Sequence, residues 1–297
     1  MLTCCSLCPR CCGVNRQEGE TGYCSAPALP RVALADLHFG EEPCISGKDG
    51  SGTVFFSHCN LRCVFCQNHQ ISQGGFGRTV DVDHLAQIFI DLQDLGAHNI
   101  NLVSPTPYVP AVIQAIRSAR GQGLSVPVVY NTHGYETVEV LRLLEGLVDI
   151  YLPDLKYGSQ EPARLYSAAP DYFTAAAAAV KEMYRQVGAP VLDENGLARR
   201  GMIIRHLVLP GHVPDSLRVL RWIAANLPKD VYISLMAQYF PTHLAVGIPP
   251  LNRRLTAVEY QQVMDGLWEL GLEKGFIQEL TAASEEYVPD FDLRGVT

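Results

Sequence analysis

Residues 53–66 read Thr53-Val54-Phe55-Phe56-Ser57-His58-Cys59-Asn60-Leu61-Arg62-Cys63-Val64-Phe65-Cys66. The stretch from Thr53 to Ser57 is dense in β-branched and aromatic residues and predicts a buried strand. Three cysteines begin within a few residues of its end, spaced Cys-x3-Cys-x2-Cys. One loop so spaced can present thiolates to three corners of an iron–sulfur cubane, and soft thiolates select iron–sulfur or zinc over hard cations. Three local ligands leave the fourth iron open to the amino and carboxylate groups of a small molecule. Four protein ligands would instead favour electron transfer or a structural role. Leu61, Val64 and Phe65 are placed to shield such a cluster. The plain alternative is structural zinc, with His58 or His69 as its fourth ligand.

Downstream of this loop the chain alternates between two periodicities. Val82, Leu85, Ile88, Phe89, Leu92 and Leu95 recur at helical spacing and stop at Gly96. Asn99 to Val103 predicts the next strand, Val112 to Ala119 a short helix and Val126 to Tyr130 a third strand. Val138 to Leu144 follows as a helix and Asp149 to Leu152 as a fourth strand. A helix over 171–187 contains the Ala175–Ala179 run, with Asp171 expected as its cap. Met202 to Leu209 predicts a fifth strand, Leu217 to Leu227 a helix and Val231 to Met236 a sixth strand. Thr256 and Glu259 make a capping box for a last helix through Leu270, and Phe276 to Leu280 is one more short strand.

Six rounds of strand and helix predict an α/β fold with a parallel sheet and crossover helices. Periodicity does not separate an open doubly wound sheet from a partial or full barrel. In each, ligands gather at the C-terminal ends of the strands. Polar residues collect there: Ser57-His58, Ser104-Pro105-Thr106, Asn131-Thr132-His133 and Asp154 with Lys156. His206 lies within the fifth strand before Pro210-Gly211, and Gln238-Tyr239 follow the sixth. Six polar clusters at equivalent positions exceed what a satisfied core needs, which predicts an active-site rim.

The 297 residues carry 23 Lys and Arg against 31 Asp and Glu, a formal net charge of -8 with no long basic run. Nonspecific attraction to nucleic acid or anionic membrane is disfavoured. No stretch of ~18 apolar residues runs free of charge, and Met1-Leu2-Thr3-Cys4-Cys5 lacks the basic-then-apolar order of a signal peptide. The expectation is a cytoplasmic protein whose partners include neither nucleic acid nor membrane. All ten Cys lie at or before residue 66. Disulfides would staple a small secreted domain, whereas this long thiol-free remainder points to metal or cluster binding in a reducing compartment.

Residues 1–45 are read as a Cys-rich N-terminal extension, 46–285 as the core and 286–297 as a C-terminal tail. Cys5, Cys8 and Cys12 are spaced Cys-x2-Cys-x3-Cys, with Cys24 as a more distant thiol. Four thiolates fit either a closed zinc site or an auxiliary cluster. Arg10 and Arg16 are candidates for bridging to the core or docking a partner, and the extended segment from Pro30 to His38 is expected to lie across the barrel.

Together these segments resemble the radical S-adenosylmethionine (SAM) superfamily, and within it the proteins related to pyruvate formate-lyase-activating enzyme. CNLRCVFCQN is the cluster motif, and TVFFSHCNLRCVFCQN, VYNTHGY, DIYLPDLKY, RHLVLPGH and SLMAQYFP carry the likeness over nearly the whole chain. The resemblance implies a partial (β/α)6 TIM-like barrel and a [4Fe–4S] cluster ligated by Cys59, Cys63 and Cys66, with Phe65 in the usual aromatic place. It also implies reductive cleavage of SAM to methionine and a 5′-deoxyadenosyl radical that abstracts hydrogen.

Asp154-Leu155-Lys156 matches a segment that lies by the bound SAM in the activating enzymes, and Arg205 to Gly211 resembles their strand ending in Pro-Gly. Their Gly-Gly-Glu-Pro segment, which receives the methionine amino group, is replaced by Ser104-Pro105-Thr106-Pro107. Backbone carbonyls and the Ser104 or Thr106 oxygens are then the candidate acceptors. Lys156 is a candidate partner for the methionine carboxylate or a nearby acid, with a merely exposed lysine as the alternative. Asp154 is a candidate for a ribose hydroxyl, for orienting Lys156 or for a cation. Asn131 and Thr132 are candidates for sugar or carboxylate contacts or for loop capping. Arg205 and Gln238 are read as pocket groups, against pairing with a buried acid for Arg205; His133 and His206 read equally well as core histidines.

The pattern CxxCPRxCxVNR…GxxGxC, shared with related proteins, selects Cys5, Cys8, Cys12 and Cys24 for the second site and leaves Cys4 and Cys11 as extras. The implied function is activation of a glycyl radical enzyme, with flavodoxin or ferredoxin as electron donor. Radical modification of a small molecule or peptide is the second reading, and a non-catalytic iron–sulfur or zinc protein the third.

Overall fold

The computed structural model describes residues 1–283 and 288–296. Its strands are β1 (Arg31–His38), β2 (Ser51–Phe56), β3 (Arg78–Thr79), β4 (Ile100–Val103), β5 (Val128–Thr132), β6 (Ile150–Pro153), β7 (Val191–Leu192), β8 (Ala198–Leu207), β9 (Tyr232–Met236) and β10 (Gly275–Ile277). They form one sheet in the order β10-β9-β8-β6-β5-β4-β2-β1-β3, with β7 paired to β8. From β2 through β4, β5, β6, β8 and β9 to β10, each neighbouring pair is parallel. The pairing path has two ends, β10 and β3, so this α/β sheet does not close into a full barrel and is at most a partial one.

Burial explains the composition of the central strands. β2, β5 and β6 are buried at every position, because a parallel sheet covered on both faces needs apolar side chains on both. The intervening helices are α1 (Pro43–Ser46), α2 (His69–Ser72), α3 (Val82–Asp94), α4 (Val109–Gly121), α5 (Val138–Arg142), α6 (Gln160–Ser167), α7 (Tyr172–Val187), α8 (Val213–Asn226) and α9 (Ala257–Glu269). From α3 and α4, Leu85, Phe89, Val112 and Ile116 pack in one cluster with Val54 of β2 and Leu102 of β4. A second cluster joins Leu141 of α5, Val180 of α7, Leu220 of α8 and Val263 of α9 to Tyr151, Met202 and Ile233 of the sheet. Each helix thus buries its apolar stripe on the strands it connects.

Register decides where the site lies. Phe55 stands opposite Val103, Val103 opposite Asn131, and Asn131 opposite Leu152. Asp154, just past β6, bridges Arg205 of β8. The C-terminal ends are therefore level, and the residues at and beyond them share one rim.

Several expectations need correction. The segment from Pro30 to His38 does not lie across the barrel: β1 extends the sheet edge, pairing antiparallel with β2 through Leu34 opposite Phe55 and His38 opposite Ser51. Pro127 delays β5, so Asn131 and Thr132 are its last two residues rather than a following loop. Asp171 stands at the α7 N-cap but makes no side-chain cap bond; its carboxylate accepts the Tyr135 hydroxyl at 2.6 Å. The capping box of Thr256 and Glu259 is present at α9. No helix among the described residues is long and apolar enough to cross a membrane.

Candidate active site

Cys59, Cys63 and Cys66 open on one cavity at the C-terminal rim. Around it stand Ser104 after β4, Asn131 at the end of β5, Asp154 and Lys156 after β6, Arg205 on β8 and Gln238 after β9. Of the rim residues expected from sequence, Ser57, His58, Pro105, Thr106, Thr132 and His206 are absent from this wall.

The cysteine loop is pinned from several directions. His58 turns the chain out of β2 with φ 69°, a left-handed conformation uncommon for a side-chain-bearing residue. The Val64 amide donates to Tyr166 O at 2.8 Å, and Ala245 N donates to Val64 O at 2.9 Å. Gln73 Nε2 donates to Cys63 O at 3.1 Å. Cys63 Sγ lies 2.9 Å from Ser167 Oγ, Cys66 Sγ lies 3.2 Å from Ser72 Oγ, and Leu61 N donates to Cys59 Sγ at 3.4 Å. Such contacts to sulfur orient metal-binding thiolates and tune a cluster. Burial pushes all three thiols up, Cys63 to about 11, with Lys156 opposing the shift at Cys59, Cys63 and Cys66. Metal binding would have to displace their protons.

Among the described residues, no three His, Cys, Asp or Glu side chains are drawn together around a single metal-ion position. Single-zinc ligation is further disfavoured because neither His58 nor His69 lines the cavity. His58 is 8% exposed with Nε2 unpartnered, and His69 stacks on His243 at 4.5 Å. A cubane is gripped at its corners and holds its thiolates further apart than one ion does. Three free thiols on one loop, facing a cavity and carrying hydrogen bonds to sulfur, fit that donor set.

Lys156 and Asp154 form an ion pair within the cavity wall. Burial works against the Lys156 ammonium, but Asp154, and behind it the neighbouring thiols, hold its pKa above the ordinary value. The Lys156 amide donates to Tyr172 Oη at 3.0 Å, and that hydroxyl donates in turn to Asp154 O at 2.9 Å. Gly134, at φ 81°, lies against Asp154 O so closely that a Cβ there would collide with it.

Arg205 combines both of its sequence readings. It lines the cavity, yet lies 3.2 Å from Glu41 and 3.1 Å from Glu42 and donates to Asn131 Oδ1 at 3.3 Å. Asn131 Nδ2 donates to Glu41 Oε1 at 3.2 Å. Gln238 Oε1 accepts from Gln278 Nε2 at 2.9 Å.

Thr132 and Thr106 turn away from the cavity to share a buried carboxylate. Their hydroxyls donate to Glu136 Oε1 at 2.6 Å and 2.5 Å, and Tyr130 Oη donates at 3.3 Å. Ser104, not Thr106, therefore offers the hydroxyl after β4. His133 lines the cavity and is held neutral, its pKa lowered to about 3 by burial and by Lys156. His206 is a core residue whose Nδ1 lies 2.7 Å from Leu155 O. Cys5, Cys8, Cys12 and Cys24 do not reach this cavity; they line a second, smaller one.

The radical SAM superfamily model matches residues 53–223, more than half of the chain. The chain belongs to the radical SAM superfamily. An uncharacterised protein of Methanocaldococcus jannaschii is 33% identical over 271 residues, covering 88% of this radical SAM chain and 73% of its own. Among solved structures, Streptococcus suis SuiB, bound to its precursor peptide SuiA, matches with TM-score 0.51 and 12% identity over 77% of this chain and 48% of SuiB. Native anSMEcpe, solved with bound AdoMet, matches with TM-score 0.47 and 13% identity over 80% of this chain and 62% of its own. This chain thus spans less than two thirds of either solved protein. The SuiB likeness shows a shared fold, and nothing in these matches singles out the pyruvate formate-lyase-activating subgroup.

Four carboxylates and amides near the radical SAM cavity escaped sequence reading: Glu41, Glu42, Glu136 and Gln278. Glu41 and Glu42 sit in the turn before α1, far in sequence from their partner Arg205. Glu136 had a legible signal, since it follows the buried Thr132-His133-Gly134-Tyr135 run at the end of a strand. Gln278 follows β10, whose pairing with β9 brings it to Gln238.

Proposed function

We propose that this chain binds a [4Fe–4S] cluster through Cys59, Cys63 and Cys66, binds SAM in the adjoining cavity and abstracts hydrogen from a polypeptide. One observation carries the reading: three thiols from a single loop open on the same cavity as the Lys156–Asp154 pair and polar residues from the ends of β4, β5, β8 and β9. When bound, the cluster supplies the electron for reductive cleavage of SAM, the chemistry of the superfamily.

The chain's own residues bind, orient and exclude water. Lys156 offers a cation to the methionine carboxylate, and Asp154 fixes that ammonium in place. Ser104, Asn131 and Gln238 offer a hydroxyl and amides to the amino group and sugar. Arg205 is committed to Glu41 and Glu42 and holds Asn131 in position. Phe55, Leu61, Phe65, Val103, Leu207 and Met236 give the wall an apolar lining, which keeps solvent from a reactive intermediate.

A polypeptide substrate is supported by SuiB, which shares the fold and is bound to a precursor peptide. Activation of a glycyl radical enzyme is one case of that class, and a flavodoxin or ferredoxin is the natural class of electron donor. Anaerobic turnover with dithionite and SAM tests the reading. Equal amounts of methionine and 5′-deoxyadenosine are expected from the intact protein and none from Cys59→Ala; unconsumed SAM in both would sink the proposal. Deuterium passing into 5′-deoxyadenosine from a labelled polypeptide supports that substrate class. Label arriving only from a small molecule contradicts it.

A further inference from the structure

The cysteines ahead of residue 25 lie outside the first cavity, yet they are gathered. Cys5, Cys8, Cys12 and Cys24 line one small cavity of their own, closed on one side by Asn60 of the cluster loop. A short turn folds the chain to bring them there: Cys5 N donates to Val14 O at 2.9 Å and Gly13 N to Cys5 O at 3.0 Å. Of the other two thiols of this segment, Cys4 lies outside that cavity, whereas Cys11 borders it from the exposed side. Cys4 is exposed, and Cys11 is exposed with its thiol directed at Cys8 O, 3.5 Å away.

Two features prepare this cavity for anionic sulfur. The Tyr23 amide donates to Cys12 Sγ at 3.3 Å. That approach needs a glycine beside it, since a Cβ on Gly22 would lie 2.7 Å from the same sulfur. The second feature is charge. Arg16 is 2% exposed, borders the cavity and leaves Nε without a partner. Its other nitrogens reach only the carbonyls of Pro107 and Pro27. Arg10 also borders the cavity, with Nη2 buried and unpartnered. Among the described residues, neither arginine forms an ion pair. A buried cation without a counter-charge is costly, and four metal-bound thiolates would supply that charge.

We infer that Cys5, Cys8, Cys12 and Cys24 hold a second iron–sulfur cluster, of the [4Fe–4S] type, closed by four protein thiolates and charge-balanced by Arg10 and Arg16. Iron–sulfur is the assigned occupant, and a single zinc held by the same four thiolates is the outcome that overturns it. Having no open corner, this cluster does not bind SAM; it is an electron-transfer or structural centre. It abuts the first site directly. Asn60, the neighbour of Cys59, faces the Cys8 thiol, and Arg10 Nε donates to Asn60 O at 3.0 Å. Tyr23, which follows the Cys12-contacting Gly22, lies between Arg10 at 3.8 Å and Arg62 of the cluster loop at 4.8 Å.

The test uses the full chain with Cys59, Cys63 and Cys66 all changed to Ala, reconstituted anaerobically and assayed for iron, sulfide and zinc. About four iron and four sulfide per chain are expected, lost again when Cys12→Ser is added and kept when Cys11→Ser is added. One zinc per chain, or no metal, overturns the inference. Should the triple variant fail to fold, the intact protein decides: about eight iron per chain supports two clusters and about four overturns them. Iron retained by the triple variant alongside an intact protein that leaves SAM uncleaved would sink the proposed activity and leave this second site standing.

Discussion

A carboxylate and an ammonium define the chemistry at the scale of single residues. Glu136 is buried beneath the rim, and burial raises its pKa from 4.5 to about 7 even though Thr106, Thr132 and Tyr130 donate to it. Between those values the folded chain keeps a proton that the unfolded chain has released, so stability falls as pH rises through the window. Glu136→Gln removes that titration. Urea unfolding of the metal-free protein should show the variant gaining on the wild type between pH 4.5 and 7.5, by on the order of 3 kcal/mol. A difference that does not change with pH would contradict the assignment. Lys156 belongs to the cavity rather than to the core, and its ammonium is held charged by Asp154. Lys156→Met should weaken SAM binding about tenfold, roughly 1.4 kcal/mol, with iron content unchanged. Equilibrium dialysis against SAM measures the first and colorimetric iron the second; a loss of iron would make Lys156 a structural residue. The places of Lys156 and Asp154 on the cavity wall were legible because an acid and a lysine two residues apart follow a strand. Those of Thr106 and Thr132 were not. Both read as rim hydroxyls, and only the position of Glu136 turns them inward.

At the scale of elements, the strongest local signals were read correctly, the Asp171 cap apart, and distant pairings were missed. The α9 capping box needs only four consecutive residues, Thr256 to Glu259, and stands as expected. Glu259 does more than close that box: it accepts the Gly211 amide at 2.7 Å and both Arg253 guanidinium nitrogens at 2.8 Å. The N-terminus of α9 is thereby tied to the turn between β8 and α8. Thr256→Ala should cost about 1 kcal/mol, and Glu259→Ala should cost more because it removes the tie along with the cap. Thermal unfolding of the two variants ranks them; equal losses would show that the bonds to Gly211 and Arg253 contribute nothing. By contrast, β1 and β7 exist through partners, β2 and β8, that no local pattern identifies. Helix α6 was missed because it is short and opens with polar Gln160-Glu161 ahead of a proline. It nonetheless places Tyr166 and Ser167 against the cysteine loop.

Over the whole molecule, alternating strands and helices made the α/β class and the rim position of the site legible, since parallel strands align their C-terminal ends. Curvature was not legible, because the same periodicity serves an open sheet or a barrel, and the free ends at β10 and β3 appear only in three dimensions. The cysteine spacing marked both thiol groups, but only folding shows that they border separate cavities, the smaller of which reaches Asn60 of the cluster loop. The central claim is that the loop from Cys59 to Cys66 holds a cluster with one corner left for SAM. Electron paramagnetic resonance of the dithionite-reduced protein, recorded with and without SAM in the Cys8→Ser, Cys12→Ser background, addresses that corner alone. The signal of the remaining cluster should change on adding SAM. A spectrum that SAM leaves untouched, or zinc in place of iron at those three cysteines, would contradict it.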